Sequence, residues 1–162
     1  MRYIVKQKIF ALGDNFTIRN EHGEECYRVK GKVFSLGDKL RIYDMQGNEL
    51  VYIEQKLFRF LPEYSIYYLG NLYATVKREF SLFRPKFQIF GTHGQYRVEG
   101  NVWGMDFSIF RENELAAQVS KRWFSFSDTY GVDIIGDEDP VFMLALVIVL
   151  DQVLHDNNHN RN

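Results

Sequence analysis

The stretch VFMLALVIVL, Val141 to Leu150, runs for ten apolar residues without a polar break. It follows GDEDP, Gly136 to Pro140, and is closed by Asp151 and Gln152. Asp137 or Asp139 can cap a helix here, and Pro140 suits the first helical position. A helix that is apolar on every side must be buried on every side. The run is about half the ~20 residues that a bilayer-spanning helix needs, so no transmembrane segment is expected. The remainder of the chain, alone or with a partner, has to wrap it.

That remainder repeats itself. KIFALGDNFTIRNEHGEE (Lys8–Glu25) and KVFSLGDKLRIYDMQGNE (Lys32–Glu49) align at an offset of 24 residues, with Phe10/Phe34, Leu12/Leu36, Gly13/Gly37, Asp14/Asp38, Ile18/Ile42 and Gly23/Gly47 identical. Weaker copies begin at Lys56 (KLFRFLPEYSI), Arg78 (REFSLFRPKFQI) and Arg122 (RWFSFSDTYGV). Each reads as strand, tight turn, strand. HGE, QGN, LGN and HGQ supply further turns between copies, because glycine reaches positive φ without steric cost. Phe16/Ile18 alternate with Thr17/Arg19, Tyr96/Val98 with Arg97/Glu99, and Phe107/Ile109 with Asp106/Ser108, the period of a half-buried antiparallel sheet.

A repeat this short usually builds a solenoid or propeller, but five or six meandering hairpins can also close into a barrel. About twelve short strands are expected. A wide barrel is hollow unless something fills it. A helix from Pro140 to about His155 is ~24 Å long, comparable with the height of 7–8-residue strands. The fold class predicted is mainly β: a closed antiparallel barrel of about twelve strands around a central hydrophobic C-terminal helix. It makes a single domain over residues 1–156 with a polar tail at 157–162. The competing reading sandwiches the helix between barrel and partner.

Composition narrows the function. The chain has 162 residues, enough to bury a sizeable core, and 16% aromatics, which favour strands. A net charge of −1 gives no global field toward nucleic acid, and no nucleic-acid partner is expected. Cys26, the one cysteine, excludes an intrachain disulfide and fits a reducing cytosol. The segment MRYIVKQKIF lacks the apolar core of a signal peptide.

GNVWGMDFSIF (Gly100–Phe110), SDTYGVDIIGDEDP (Ser127–Pro140) and the terminal apolar helix resemble the LURP-one-related family, in particular its bacterial YxjI-type branch. Order and spacing match over nearly the whole chain. That family belongs to the tubby C-terminal-like superfamily, with the phospholipid scramblases as cousins. The resemblance implies a twelve-stranded barrel around a C-terminal helix. It implies function only broadly: tubby domains bind phosphoinositides through basic residues on neighbouring strands, and scramblases are tied to calcium and lipid. Fold does not fix function.

The residues themselves offer four candidate sites. A cation stands two places before the first Phe of each copy: Lys8, Lys32, Lys56, Arg78 and Arg122, ahead of Phe10, Phe34, Phe58, Phe80 and Phe124. Residues i and i+2 of a strand share a face. If those Phe point inward, the cations form a basic rim suited to an anionic lipid headgroup or a small anionic ligand. The plainer reading is strand-end charge that reaches water. Lys77, Arg84, Lys86 and Lys121 thicken the same basic segments. Asp128, Asp133, Asp137, Glu138 and Asp139 carry oxygens of the kind calcium takes. However, Phe126 stands where the scramblase-like pattern would need a ligand, and capping duties account for Asp128, Asp137 and Asp139. His155, Asp156 and His159 have zinc spacing on a helix but lie in a tail that should fray.

Enzyme chemistry has little support: no GxSxG, HExxH, paired CxxC or phosphate loop occurs. His22 and His93 sit beside turn glycines, and Cys26 reads as a surface thiol. The expectation is a cytosolic, non-enzymatic binding module without a cofactor, at most peripheral to a membrane. A protein-interaction scaffold, or an enzyme at a barrel mouth using His93 or Asp128, is the alternative.

Overall fold

A computed structural model describes residues 1–6, 15–32, 37, 39–123 and 129–155. Twelve strands precede one helix among the described residues. They are β1 (Arg2–Lys6), β2 (Phe16–Asn20), β3 (Glu25–Lys32), β4 (Lys39–Tyr43), β5 (Glu49–Gln55), β6 (Glu63–Tyr68), β7 (Asn71–Glu79), β8 (Lys86–Gly91), β9 (Gly94–Asn101), β10 (Asp106–Arg111), β11 (Glu114–Ser120), β12 (Thr129–Ile134) and α1 (Pro140–His155). Each strand pairs antiparallel with the next, and β1 returns to β12 in the register Tyr3↔Val132 and Val5↔Tyr130, which closes the barrel. Closure leaves no open sheet edge, so the barrel does not template pairing with another chain.

The repeat has a concrete structural meaning. Asn20 and Asp44, one repeat apart, play the same part. The side-chain Oδ1 of Asn20 accepts hydrogen bonds from the backbone N–H of His22 and Glu24, and Asp44 Oδ1 accepts from Gln46 and Asn48, all within 3.0 Å. Gly23 and Gly47 follow at φ 81° and 92°. A bulge falls at Ile18/Arg19 in one copy and at Ile42/Tyr43 in the other. Ile18 and Ile42 are both fully buried. The repeated unit is thus a bulged hairpin that aims one isoleucine inward and turns on an Asx side chain.

Alternating strand direction sorts the connections between two ends. The tight turns at 21–24, 44–48, 69–70, 92–93 and 112–113 make a hairpin end. The connections at 56–62, 80–85 and 102–105 make a loop end. The chain crosses the hairpin end at 135–139 and drives α1 down the barrel axis.

Every residue of α1 from Val141 to Leu154 is buried, and the helix packs chiefly on β5, β6 and β12. Asp139 is its cap: Oδ1 accepts from the Phe142 backbone N–H at 2.9 Å, and its carbonyl accepts from Met143 at 3.0 Å. Facing strands supply the rest of the core, including Val29, Ile53, Ile66, Val76, Ile109 and Val132. Asp151 and Gln152, which close the apolar run in the sequence, stay within the helix and inside the barrel. Both are buried, because the barrel wall extends past them to Leu154. No helix among the described residues is long and apolar enough to cross a membrane.

Candidate functional site

The hairpin end is sealed. Tyr73 and Tyr96 pack on Phe142 with ring centroids 4.6 and 5.5 Å away. The Tyr68 hydroxyl donates to Asp139 Oδ2 at 3.2 Å and Tyr96 to Glu138 Oε2 at 3.4 Å, while Arg111 Nε sits 2.9 Å from Glu138 Oε1. The acidic stretch weighed as a calcium site is therefore occupied with structure. Asp139 caps the helix, Glu138 answers Arg111, and Asp137 is exposed with Arg111 at 4.0 Å. Asp133 pairs with Arg2 across the β1–β12 seam at 2.9 Å. Asp128 lies outside the described residues, as do Asp156, His159 and the side chain of His155.

The loop end gathers the candidate cations, but not as one rim. Lys56 follows β5. Its backbone N–H donates to the Glu63 carbonyl at 2.8 Å and its Nζ lies 3.3 Å from the Glu63 carboxylate. Arg59 Nε joins at 3.1 Å and Lys77, paired with Glu63 in the β6–β7 register, at 3.8 Å. Glu63 is only 6% exposed, so a buried carboxylate already neutralises much of this trio's field. Neither Glu63 nor Arg59 belonged to the predicted site. The Glu63–Lys77 pairing depends on strand register, and Arg59 reaches Glu63 from the 56–62 connection, which linear spacing does not reveal. Arg122 is likewise bound to Asp106 at 2.6 Å. It borders a shallow groove of about 330 Å³ lined by Gly100, Ser108, Gln118 and Trp123. Lys121 is half-buried beside it. Lys8 lies outside the described residues. Lys32 ends β3 opposite Lys39, with its side chain outside the description.

Arg78 differs from these. It shares the inward face of β7 with Ala74 and Val76, both buried, one turn of the pleat below the loop end. Its Nη1 is buried and makes no hydrogen bond among the described residues. Its guanidinium carbon stands 5.8 Å from the centroid of the Trp103 ring. Burial lowers the pKa of the guanidinium from its ordinary value. Arg84 and Lys86 extend the positive charge along the 80–85 connection into β8, and neither makes an ion pair among the described residues.

The inward-facing parity expected for the repeat's phenylalanines does not hold where it can be seen. Phe58 and Phe80 are exposed, because Lys56–Pro62 and Phe80–Pro85 are connections rather than strands. Phe10, Phe34 and Phe124 lie outside the described residues. Cys26 is half-buried, its thiol donating to the Glu24 carbonyl at 3.5 Å, and burial pushes its pKa up, away from thiolate. His93 meets Tyr73 edge-on at 5.4 Å, in the hairpin-end turn.

Known proteins place this geometry in context. A family model described as LURP-one-related matches residues 1–151. The uncharacterized protein YxjI of Bacillus subtilis (strain 168) is 37% identical over 153 residues, spanning 94% of this chain and 93% of that one. The X-ray structure of an Arabidopsis thaliana protein superposes with a TM-score of 0.67 at 21% identity, over 94% of this chain and 91% of the other. That last likeness concerns the fold alone.

Proposed function

The chain belongs to the LURP-one-related family, and from its barrel geometry we propose that it is a non-enzymatic module that binds an anionic ligand at the loop end. The observation that carries this reading is Arg78. A guanidinium drawn partly out of water loses hydration, and that loss is normally repaid by a carboxylate or phosphate. Here Nη1 is buried without an acceptor among the described residues, and only the Trp103 ring faces the cation. An entering phosphate would meet the planar fork of Arg78, while Arg84 in the 80–85 connection and Lys86 at the start of β8 add positive charge to the same end of the barrel. Lys56, Arg59 and Lys77 contribute less, since Glu63 already holds them.

The non-enzymatic part of the reading is supported by the state of the reactive groups. Burial pushes the pKa of the Cys26 thiol up, away from thiolate, and the His93 ring meets Tyr73 edge-on. A cytosolic setting is part of the same proposal and suits the free Cys26. Calorimetric titration and thermal shift with inorganic phosphate and glycerol phosphate test it, with chloride at equal ionic strength as control. Wild-type protein should bind and gain melting temperature, and Arg78→Gln should lose at least about tenfold in affinity, one charge-assisted hydrogen bond's worth. An unchanged affinity in Arg78→Gln, or no response in the wild type, overturns the site.

A further inference from the structure

The loop end carries a second feature that anion binding does not use. Phe58 and Phe60 in the β5–β6 connection and Phe83 in the β7–β8 connection are 101%, 96% and 93% exposed. Leu82 and Phe80 beside Phe83 are exposed as well, and Trp103 in the β9–β10 connection is half in water. These three connections succeed one another around the barrel at a single end. Phe58 holds φ 58°, a left-handed conformation that a bulky residue seldom adopts. Aromatic side chains in this number, on neighbouring connections, do not stay in water without a use.

Cations interrupt the apolar set at close intervals. Arg59 separates Phe58 from Phe60, Arg84 follows Phe83, and Lys86 opens β8. A protein partner would more commonly meet a continuous patch with charge depleted from its centre. Separate apolar tips alternating with basic groups match a different surface. Aromatics settle at the headgroup–acyl boundary of a bilayer while Arg and Lys reach its phosphates.

We propose that the loop end is a membrane-docking surface, on which Phe58, Phe60, Leu82 and Phe83 insert into an anionic bilayer and Arg84 and Lys86 engage lipid phosphates. The inference rests on the anion-binding reading of this end and names the source of the anion as a lipid surface.

Vesicle co-sedimentation tests it, comparing phosphatidylcholine alone with phosphatidylcholine containing a third phosphatidylglycerol, at low and high salt. Wild-type protein should bind the anionic vesicles and release them as salt rises. Its tryptophan emission should shift blue on binding, and Trp103→Phe should remove that shift. Phe58→Ser with Phe83→Ser should cut vesicle partitioning by roughly tenfold or more, with the melting temperature and the phosphate response unchanged. Partitioning of the double variant equal to wild type would overturn insertion while sparing the cation site. A wild type that responds to phosphate yet ignores both vesicle types would also overturn it, and would assign the exposed aromatics to a protein partner. Loss of the phosphate response in the wild type is a failure of the anion site and is read separately, from the titrations without vesicles.

Discussion

Asp139 does three jobs with one side chain and one carbonyl. It caps α1 at Phe142, accepts from Met143 and receives the Tyr68 hydroxyl. Asp139→Ala should cost about 1–2 kcal/mol of unfolding free energy, read from denaturant midpoints at unchanged slope. Asp139→Asn should recover most of it, because an asparagine oxygen caps equally well. The cap was legible in the sequence, since Asp before Pro before an apolar run has few other uses. The cation site was legible only in part. Residue type and the spacing ahead of each Phe singled out Lys56 and Arg78 alike, yet the two ended in opposite states. Lys56 is bound to Glu63, while the buried Nη1 of Arg78 has no acceptor among the described residues. What separates them is the register that sets Glu63 against Lys77, and a side chain's neighbours across strands do not appear in linear spacing. The exposed Phe58 misled for a related reason: a phenylalanine in a strand-like repeat reads as core until the chain is seen to leave the sheet at Gln55.

At the scale of the element, α1 inverts the usual relation between a helix and its sheet. A surface helix offers one apolar stripe and keeps a polar back. α1 has no polar back between Val141 and Leu150, and the wall buries it around its circumference. Its stability therefore comes from the barrel rather than from intrinsic propensity. Leu146 is fully buried near the middle of the run. Leu146→Asp would set an unpaired carboxylate there, at a cost of several kcal/mol, enough to unfold many domains of this size. Circular dichroism should show lost cooperativity, whereas Leu146→Met should melt within a few degrees of wild type. A Leu146→Asp variant that melts like wild type would remove the helix from the core. The strands show the complementary economy: four of the five tight-turn hairpins bend by a bulge next to the turn, at Ile18, Ile42, Ile66 and Ile109, and β8–β9 pairs without one.

For the molecule as a whole, seven tyrosines tie the fold to alkaline pH. Burial raises the pKa of Tyr3, Tyr27, Tyr52, Tyr68, Tyr73, Tyr96 and Tyr130 above the ordinary value of 10.0, most completely for Tyr130. Above pH ~10 the unfolded chain releases these protons while the folded chain keeps them. The unfolded state then binds fewer protons, and stability falls as pH rises. A melting series from pH 8 to 11 should be flat at first and then drop. Tyr130→Phe should soften the drop at little cost near neutrality, since its hydroxyl makes no hydrogen bond among the described residues. The architecture was the most legible feature of all, because two constraints met: a repeat of strand pairs and a run that needed burial on every side admit few solutions besides a filled barrel. Those two constraints also order events in time. Sheet closure joins β1 to β12, and the filling arrives after every strand in the chain. On the ribosome, eleven strands emerge before their closing partner and all twelve before their interior. The nascent chain therefore carries two unsatisfied margins until β12 emerges, and a hollow middle until α1 clears the exit tunnel. Closure and filling both wait on the elements made last among the thirteen, and until α1 arrives a chaperone would have most to protect.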